Sequence, residues 1–176
     1  MQQALIEFYY QFHTHQHYFL CHDILEDAWK EQANYSKNDA IVGLILFTTA
    51  CYHYRRHNIK GAEKSFIKAK HILATATDGD QLHLDLKQLQ LLIERLLYNI
   101  QENKVYQPVK LPIYAQFELI IRQYYTDYYF NQRLITNSYI VNHHLERDRS
   151  EVIYNKELAQ AQRLRERQHK THYAKD

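Results

Sequence analysis

Glycine and proline are scarce, three and two among 176 residues, where average usage of about 7% and about 5% would supply roughly twenty-one. So few breakers exclude a sandwich or barrel, which needs a turn about every 8–12 residues, and point to long helices joined by short loops. Cysteine is as rare. Cys21 and Cys51 cannot build a disulfide framework or a Cys-only zinc site, and no Cys-x-x-Cys pair occurs, so a cytoplasmic protein with reduced thiols is expected. Long apolar runs are missing too. The longest, Ala40 to Cys51, contains Thr48 and Thr49 and falls short of the roughly 20 residues that a bilayer span requires. Met1-Gln2-Gln3-Ala4 lacks a basic segment ahead of an apolar one, so neither a secretory signal nor a membrane partner is expected.

Charge of one sign is also absent. Lys and Arg number 22 against 20 Asp and Glu, and neither side of Ile113 is strongly basic. Only Arg163, Arg165, Arg167, Lys170 and Lys175, opposed by Glu166, approach a basic stripe, which argues against a nucleic-acid partner. Histidine is plentiful. Twelve imidazoles, with an unperturbed pKa of about 6.5, make behaviour near neutrality sensitive to pH.

What is present is helical periodicity. Leu5, Phe8, Tyr9 and Phe12 recur at helical spacing, and Thr14 is a candidate cap for a second helix from about His15 to Gln32. A third helix is predicted over Asp39 to about His57, apolar all round from Ile41 to Phe47 as suits the centre of a bundle, with Asn58 as its left-handed stop. A fourth, about Lys60 to Ala76, turns Ala62, Phe66, Ala69 and Leu73 inward. After the Asp78-Gly79-Asp80 turn, a fifth carries Leu82, Leu86, Leu89, Leu92, Ile93 and Leu96. The expected fold is therefore all-α, an orthogonal or antiparallel bundle of about five helices with a C-terminal helical extension. Pro108 and Pro112 stop a helix, so residues 104–113 are expected to be a linker between a bundle domain, 1–103, and a Tyr-rich, charged, mainly helical extension, 114–176. In that extension Ala115 to Phe130 reads as helix, Arg133 to Val141 as either extended or helical, and Arg147 to about His172 as a long polar helix.

One polar constellation stands out. At 100° per residue, His22, Glu26 and Trp29 share a face of the second helix, and His53, with Thr49 one turn earlier, lies on the third. Two polar ends meeting inside the bundle would form a buried hydrogen-bonded network that locks the helices together. The same His22, Glu26 and His53 could hold a divalent metal in an open three-ligand site, which would make the chain a metal-dependent hydrolase. Asp23, about 100° from His22, fits a supporting acceptor better than a ligand. Neither Cys21 nor Cys51 falls on the face of these histidines. His13, His15 and His17 alternate as in a metal-binding tract, but at a helix junction they would splay into solvent. Arg55, Arg56 and His57 close the third helix, where cations complement its dipole. Tyr124, Tyr125, Tyr128 and Tyr129 recur at helical spacing and mark the Tyr-rich region as a surface for homo-oligomerisation or a protein partner.

These residues carry a resemblance. Tyr18-Phe19-Leu20-Cys21-His22-Asp23-Ile24-Leu25-Glu26-Asp27-Ala28-Trp29 resembles the YFExHExLExxW motif of domain-of-unknown-function family 309, small helical proteins of bacteria and archaea. The stretch from Gly43-Leu44-Ile45 through Tyr52-His53 to Asn58-Ile59-Lys60-Gly61-Ala62 is similar to that family's second block. The resemblance implies an all-α bundle with His22, Glu26, Trp29 and His53 at a shared polar centre, and no assigned activity. Leu20 stands where the family motif has Glu, Asp23 where it has Glu, and His57 where it has Gly. A catalytic site that used the first of those carboxylates would be impaired here, which favours an interaction or scaffold module over the hydrolase. Arg147 to Ile153 looks like an element of some longer relatives.

Overall fold

The computed structural model describes residues 1–146; the polar helix expected from Arg147 to about His172, and with it the basic tail, lies outside the described residues. The chain is all-α, and among the described residues the only β-type pairing is one isolated bridge between Leu84 and Ile113. Seven helices follow in order: α1 (Gln2–Tyr10), α2 (Tyr18–Lys30), α3 (Ala40–Arg55), α4 (Ile59–Thr75), α5 (Leu86–Gln101), α6 (Ala115–Tyr124) and α7 (Ser138–Glu146), the last kinked at Asn142. No helix of the described residues is long and apolar enough to cross a membrane.

Helix α3 is the centre. Its buried residues run all round the helix, and it packs against α2 on one side and α4 on the other, as an apolar circumference requires. Its approach to α4 depends on Gly43, where a Cβ would stand 2.6 Å from Leu73 Cγ. The inward residues of α4 are those its spacing predicts, Ala62, Phe66, Ala69 and Leu73. The helix boundaries differ in instructive ways. His57, not Asn58, takes the left-handed backbone conformation after α3, with φ of 59°. Asn58 instead starts α4, its side-chain oxygen accepting from the Gly61 N–H at 3.1 Å. Asp85 does the same for α5, accepting from the Gln88 N–H at 3.0 Å.

The N-terminal junction departs furthest from a plain helix. Between α1 and α2 the chain makes a single π-helical turn, Gln11–His15, which ends on Gln16 in the left-handed conformation with φ of 52°. Thr14 therefore caps nothing. The cap of α2 is His17, whose Nδ1 accepts from the Leu20 N–H at 3.3 Å.

The segment expected to be a linker is not one. Tyr106, Val109 and Leu111 are buried, and Met1–His143 form one compact unit with no division after Asn103. Two prolines do exclude a helix there, but a non-helical strap can still be packed. Its apolar side chains alternate with exposed ones and drop into the bundle, while the Tyr106 hydroxyl donates to that of Tyr18 at 2.7 Å. Beyond it, α6 ends at Tyr124, well short of Phe130. Residues 125–137 continue as irregular chain against the bundle.

Candidate functional site

Helix α2 brings part of the predicted constellation together. His22 Nδ1 lies 3.1 Å from Asp23 Oδ1 and 3.8 Å from Glu26 Oε2. Glu26 also takes Lys30 Nζ through its other oxygen at 3.0 Å. One ligand atom from each of His22, Asp23 and Glu26 lies within 4.8 Å of the others, the only such group of three or more among the described residues. Asp23 thus stands closer to the imidazole than Glu26 does, where a supporting acceptor is expected. A side chain at the next position on a helix can fold back along its surface, which a count of 100° per residue ignores.

The group is not the dry centre that was expected. The side chains of His22, Asp23 and Glu26 are 28%, 25% and 35% exposed, so the polar cluster sits at the rim of the bundle. His53 is elsewhere. Its Nδ1 pairs with the Asn58 amide at 3.1 Å at the end of α3, and burial followed by the nearby Arg56 charge lowers its pKa. Thr49 turns back to bond the Ile45 carbonyl of its own helix at 2.9 Å. Between His22 and α3 stands Phe19, stacked on His22 at 5.9 Å and packed on Tyr52 at 5.7 Å. The buried network of His22, Glu26 and His53 is therefore not formed, and a three-ligand set that includes His53 is not assembled.

Trp29 does separate work. Its indole N–H donates to Asp39 Oδ2 at 3.0 Å and to the Ser36 carbonyl at 3.2 Å, while the Tyr35 ring packs edge-on to it. Trp29 fixes the loop between α2 and α3 and does not join His22. The thiols stay out of the chemistry. Burial pushes Cys51 up to about 12 and Cys21 well above its ordinary value, which keeps both protonated and poor as nucleophiles.

The buried polar network lies instead at the π-turn, built from residues that the sequence marked as a solvated junction. His13 is fully buried. Its Nε2 is met by the Leu111 N–H at 2.8 Å, a donor only, so Nε2 must accept and the ring proton must sit on Nδ1. That proton points at the Tyr128 hydroxyl, 2.7 Å away. Burial, then the nearby Lys110 charge, lowers the His13 pKa to about 3, so the ring is neutral throughout the physiological range. Thr14 and Gln16 extend the pattern. Thr14 Oγ1 donates to the Tyr129 carbonyl at 2.9 Å, and Gln16 Nε2 donates to the Asn131 and Arg133 carbonyls at 2.9 and 2.8 Å. Gln16 Oε1 accepts from the Ile135 N–H at 3.0 Å. Three side chains of the turn and its stop, those of His13, Thr14 and Gln16, thus satisfy backbone groups of Leu111, Tyr129, Asn131, Arg133 and Ile135.

Arg55 closes this arrangement from α3. Only 6% exposed, its guanidinium donates to the Gln16 carbonyl at 2.7 Å and to the Ile140 carbonyl at 3.3 Å, and it lies 4.6 Å above the Tyr18 ring. Its Nε is buried without a partner. The residue does bond a C-terminal carbonyl, as its place at a helix end suggests, but the carbonyl belongs to the π-turn and not to its own helix. Of the four tyrosines singled out, Tyr128 is buried on His13, Tyr125 stacks on Tyr10 at 3.9 Å with the rings 3° from parallel, and Tyr124 and Tyr129 face solvent. The signal that could have located the network is the density of His, Thr and Gln at 13–17 between two apolar helices, where every polar group needs a partner.

Residues 5–65, from α1 into α4, match the family described as domain of unknown function DUF309. The similarity extends beyond them: the Bacillus subtilis protein YpuF, itself described as uncharacterised, is 31% identical over 162 residues, covering 88% of this chain and 92% of its own length. The chain belongs to the DUF309 family. No solved structure matches this DUF309 member significantly. The π-turn, His22, Glu26, Trp29 and Arg55 all fall within the family match, whereas Leu111, Tyr128 and the other backbone partners of the turn fall after it.

Proposed function

We propose that this DUF309 member is a cytoplasmic interaction module that associates with a second copy of itself through the Tyr-rich segment 114–139. The observation that carries the reading is a concentration of apolar side chains left in solvent on a backbone that buried groups hold still. Tyr114, Leu119, Tyr124, Tyr129, Leu134 and Tyr139 are six of the thirteen exposed large apolar side chains among the described residues, all within this one stretch, and Leu119 and Tyr124 are 62% and 60% exposed. Scattered apolar residues are ordinary on a surface, but a concentration of them marks an interface. Charge supports a self-complementary contact. The segment holds Glu118 and Asp127 against Arg122 and Arg133, so two copies meet without net repulsion, as a two-fold interface requires. The two buried, unpaired thiols suit a reducing compartment. In sedimentation velocity the full chain is expected to run as a dimer, and a Leu119→Glu, Tyr124→Glu double variant as a monomer of unchanged helical content. A wild-type chain that stays monomeric at its highest soluble concentration overturns the reading.

A second reading, the metal-dependent hydrolase, has one observation in its favour, the convergence of His22, Asp23 and Glu26. In place of His53, Asp23 would then be the third ligand, and the ion would supply a bound water of lowered pKa. Untagged protein dialysed against zinc or manganese should retain one equivalent by elemental analysis and lose it in a folded His22→Ala variant. Retention of metal by that variant, or none in the wild type, removes this reading.

A further inference from the structure

We propose that the contact of His17 with His143 is an acid-sensitive latch that holds the start of α7 against the N-terminal end of α2 and lets it go when His17 is protonated. The two imidazoles meet edge to face, ring centres 4.7 Å apart and planes at 76°. His143 also packs against Phe19 and Tyr139, and Tyr139 packs against His17. The remaining tie is the Ile140 carbonyl on Arg55. All three basic side chains gather at this one contact.

The surroundings of His17 give the contact its direction. Arg55 faces it from α3, His15 from the π-turn, and Tyr139 and His143 from α7. Among residues 1–143 no carboxylate forms an ion pair with His17 or His143. A proton on His17 therefore meets a permanent positive charge and a second ring able to acquire one. It also removes the lone pair on Nδ1 that accepts the Leu20 N–H, and with it the cap of α2. His143 Nδ1 is itself buried without a partner. Protonation of His17 thus costs contacts when the segment is docked and is relieved when it swings away.

The pKa of His17 moves accordingly. It is lowered to about 4, first by burial and next by His143. A group held below its unconstrained value of about 6.5 favours the docked state above that pH and opposes it increasingly as the pH falls toward about 4. Linkage gives about a tenfold rise in the opening constant for each pH unit in that window. Released, a helix as short as α7 does not persist in water, so opening exposes its amides.

The test is amide hydrogen exchange of the full chain, followed by NMR at Tyr139 to His143 and corrected for intrinsic rates, at about pH 7.5 and about pH 5.5. Exchange at these amides is expected to rise about tenfold at the lower pH. His17→Asn, which keeps a neutral capping oxygen, should hold it level. Equal corrected rates at both pH values overturn the proposal, as does a tenfold rise that persists in His17→Asn. If His17→Asn fails to fold, His17→Gln, which cannot titrate either, serves the same comparison: a levelled response supports the latch, and a surviving tenfold rise removes it.

Discussion

His13→Ala is expected to lower the stability of the chain by about 4 kcal/mol or more, measured by urea denaturation at neutral pH. Truncating a buried ring to alanine typically costs about 3–5 kcal/mol through lost contacts and the cavity left behind. Here it also strands the buried Leu111 N–H and the Tyr128 hydroxyl, and an unmet buried polar group costs about 1–3 kcal/mol. Against a total of about 5–15 kcal/mol for an ordinary domain, that is a large share of the stability. His13→Gln retains an acceptor and a donor and should recover part of the loss. His22→Ala, at a partly exposed site on a single helix, should stay within about 1 kcal/mol of wild type. The reverse ranking, with His22→Ala the more damaging, would return the structural centre to the motif on α2.

Acid should weaken the fold well above the range in which carboxylates titrate. His13 is held neutral with a pKa near 3 and returns to about 6.5 when the chain unfolds. Its lowered pKa means that the unfolded chain binds the proton and the folded chain refuses it. The contribution is complete above about pH 6.5 and shrinks by about 1.4 kcal/mol per unit as the pH falls toward about 3. Between about pH 7 and about pH 5, roughly 2 kcal/mol should disappear through this one ring. Denaturant midpoints across that interval measure the slope, and His13→Gln should make it shallower by about that amount, leaving the part that His17 contributes. A midpoint in the wild type that does not move between these pH values would mean that the ring is not sealed from protons.

The parts of this fold that a sequence exposes are those in which one rule acts alone. Helices α3 and α4 follow from unbroken periodicity and bury the side chains that periodicity assigns, whereas α5 buries Leu89, Leu92, Ile93 and Leu96 but begins only at Leu86, so Leu82, assigned to it, lies in a separate 3-10 turn, Gly79–Leu82. Reading fails where a local rule is correct and a distant partner decides the outcome. Pro108 and Pro112 do forbid a helix, yet Tyr106 and Leu111 are core residues because Tyr18 and His13 wait for them. His13, His15 and His17 look splayed only if the chain is assumed to keep 3.6 residues per turn. The π-turn changes that period and sends His13 inward. The helical wheel placed His22 with Glu26 correctly, but it carries no information on how α2 is rotated against α3. Hence His53, expected as the third member, ends on Asn58. Arg55 was legible as a helix-end cation, while its acceptor, a carbonyl 39 positions earlier in the chain, was not.

The hydrogen bonds of the π-turn join residues 98 to 119 positions apart, and that span has a consequence for biosynthesis. The turn leaves the ribosome early, whereas its acceptors and donors follow only after most of the chain has been made. Until then Tyr9, Phe12, Tyr18 and the imidazole of His13 lack their covering, and α2 to α5 assemble around a nascent groove that is greasy and polar at once. Closure of long loops is slow compared with helix formation. The packing of residues 105–135 into that groove is therefore the step expected to come last, which puts the interval of greatest exposure to a protease between translating Gln16 and translating Ile135.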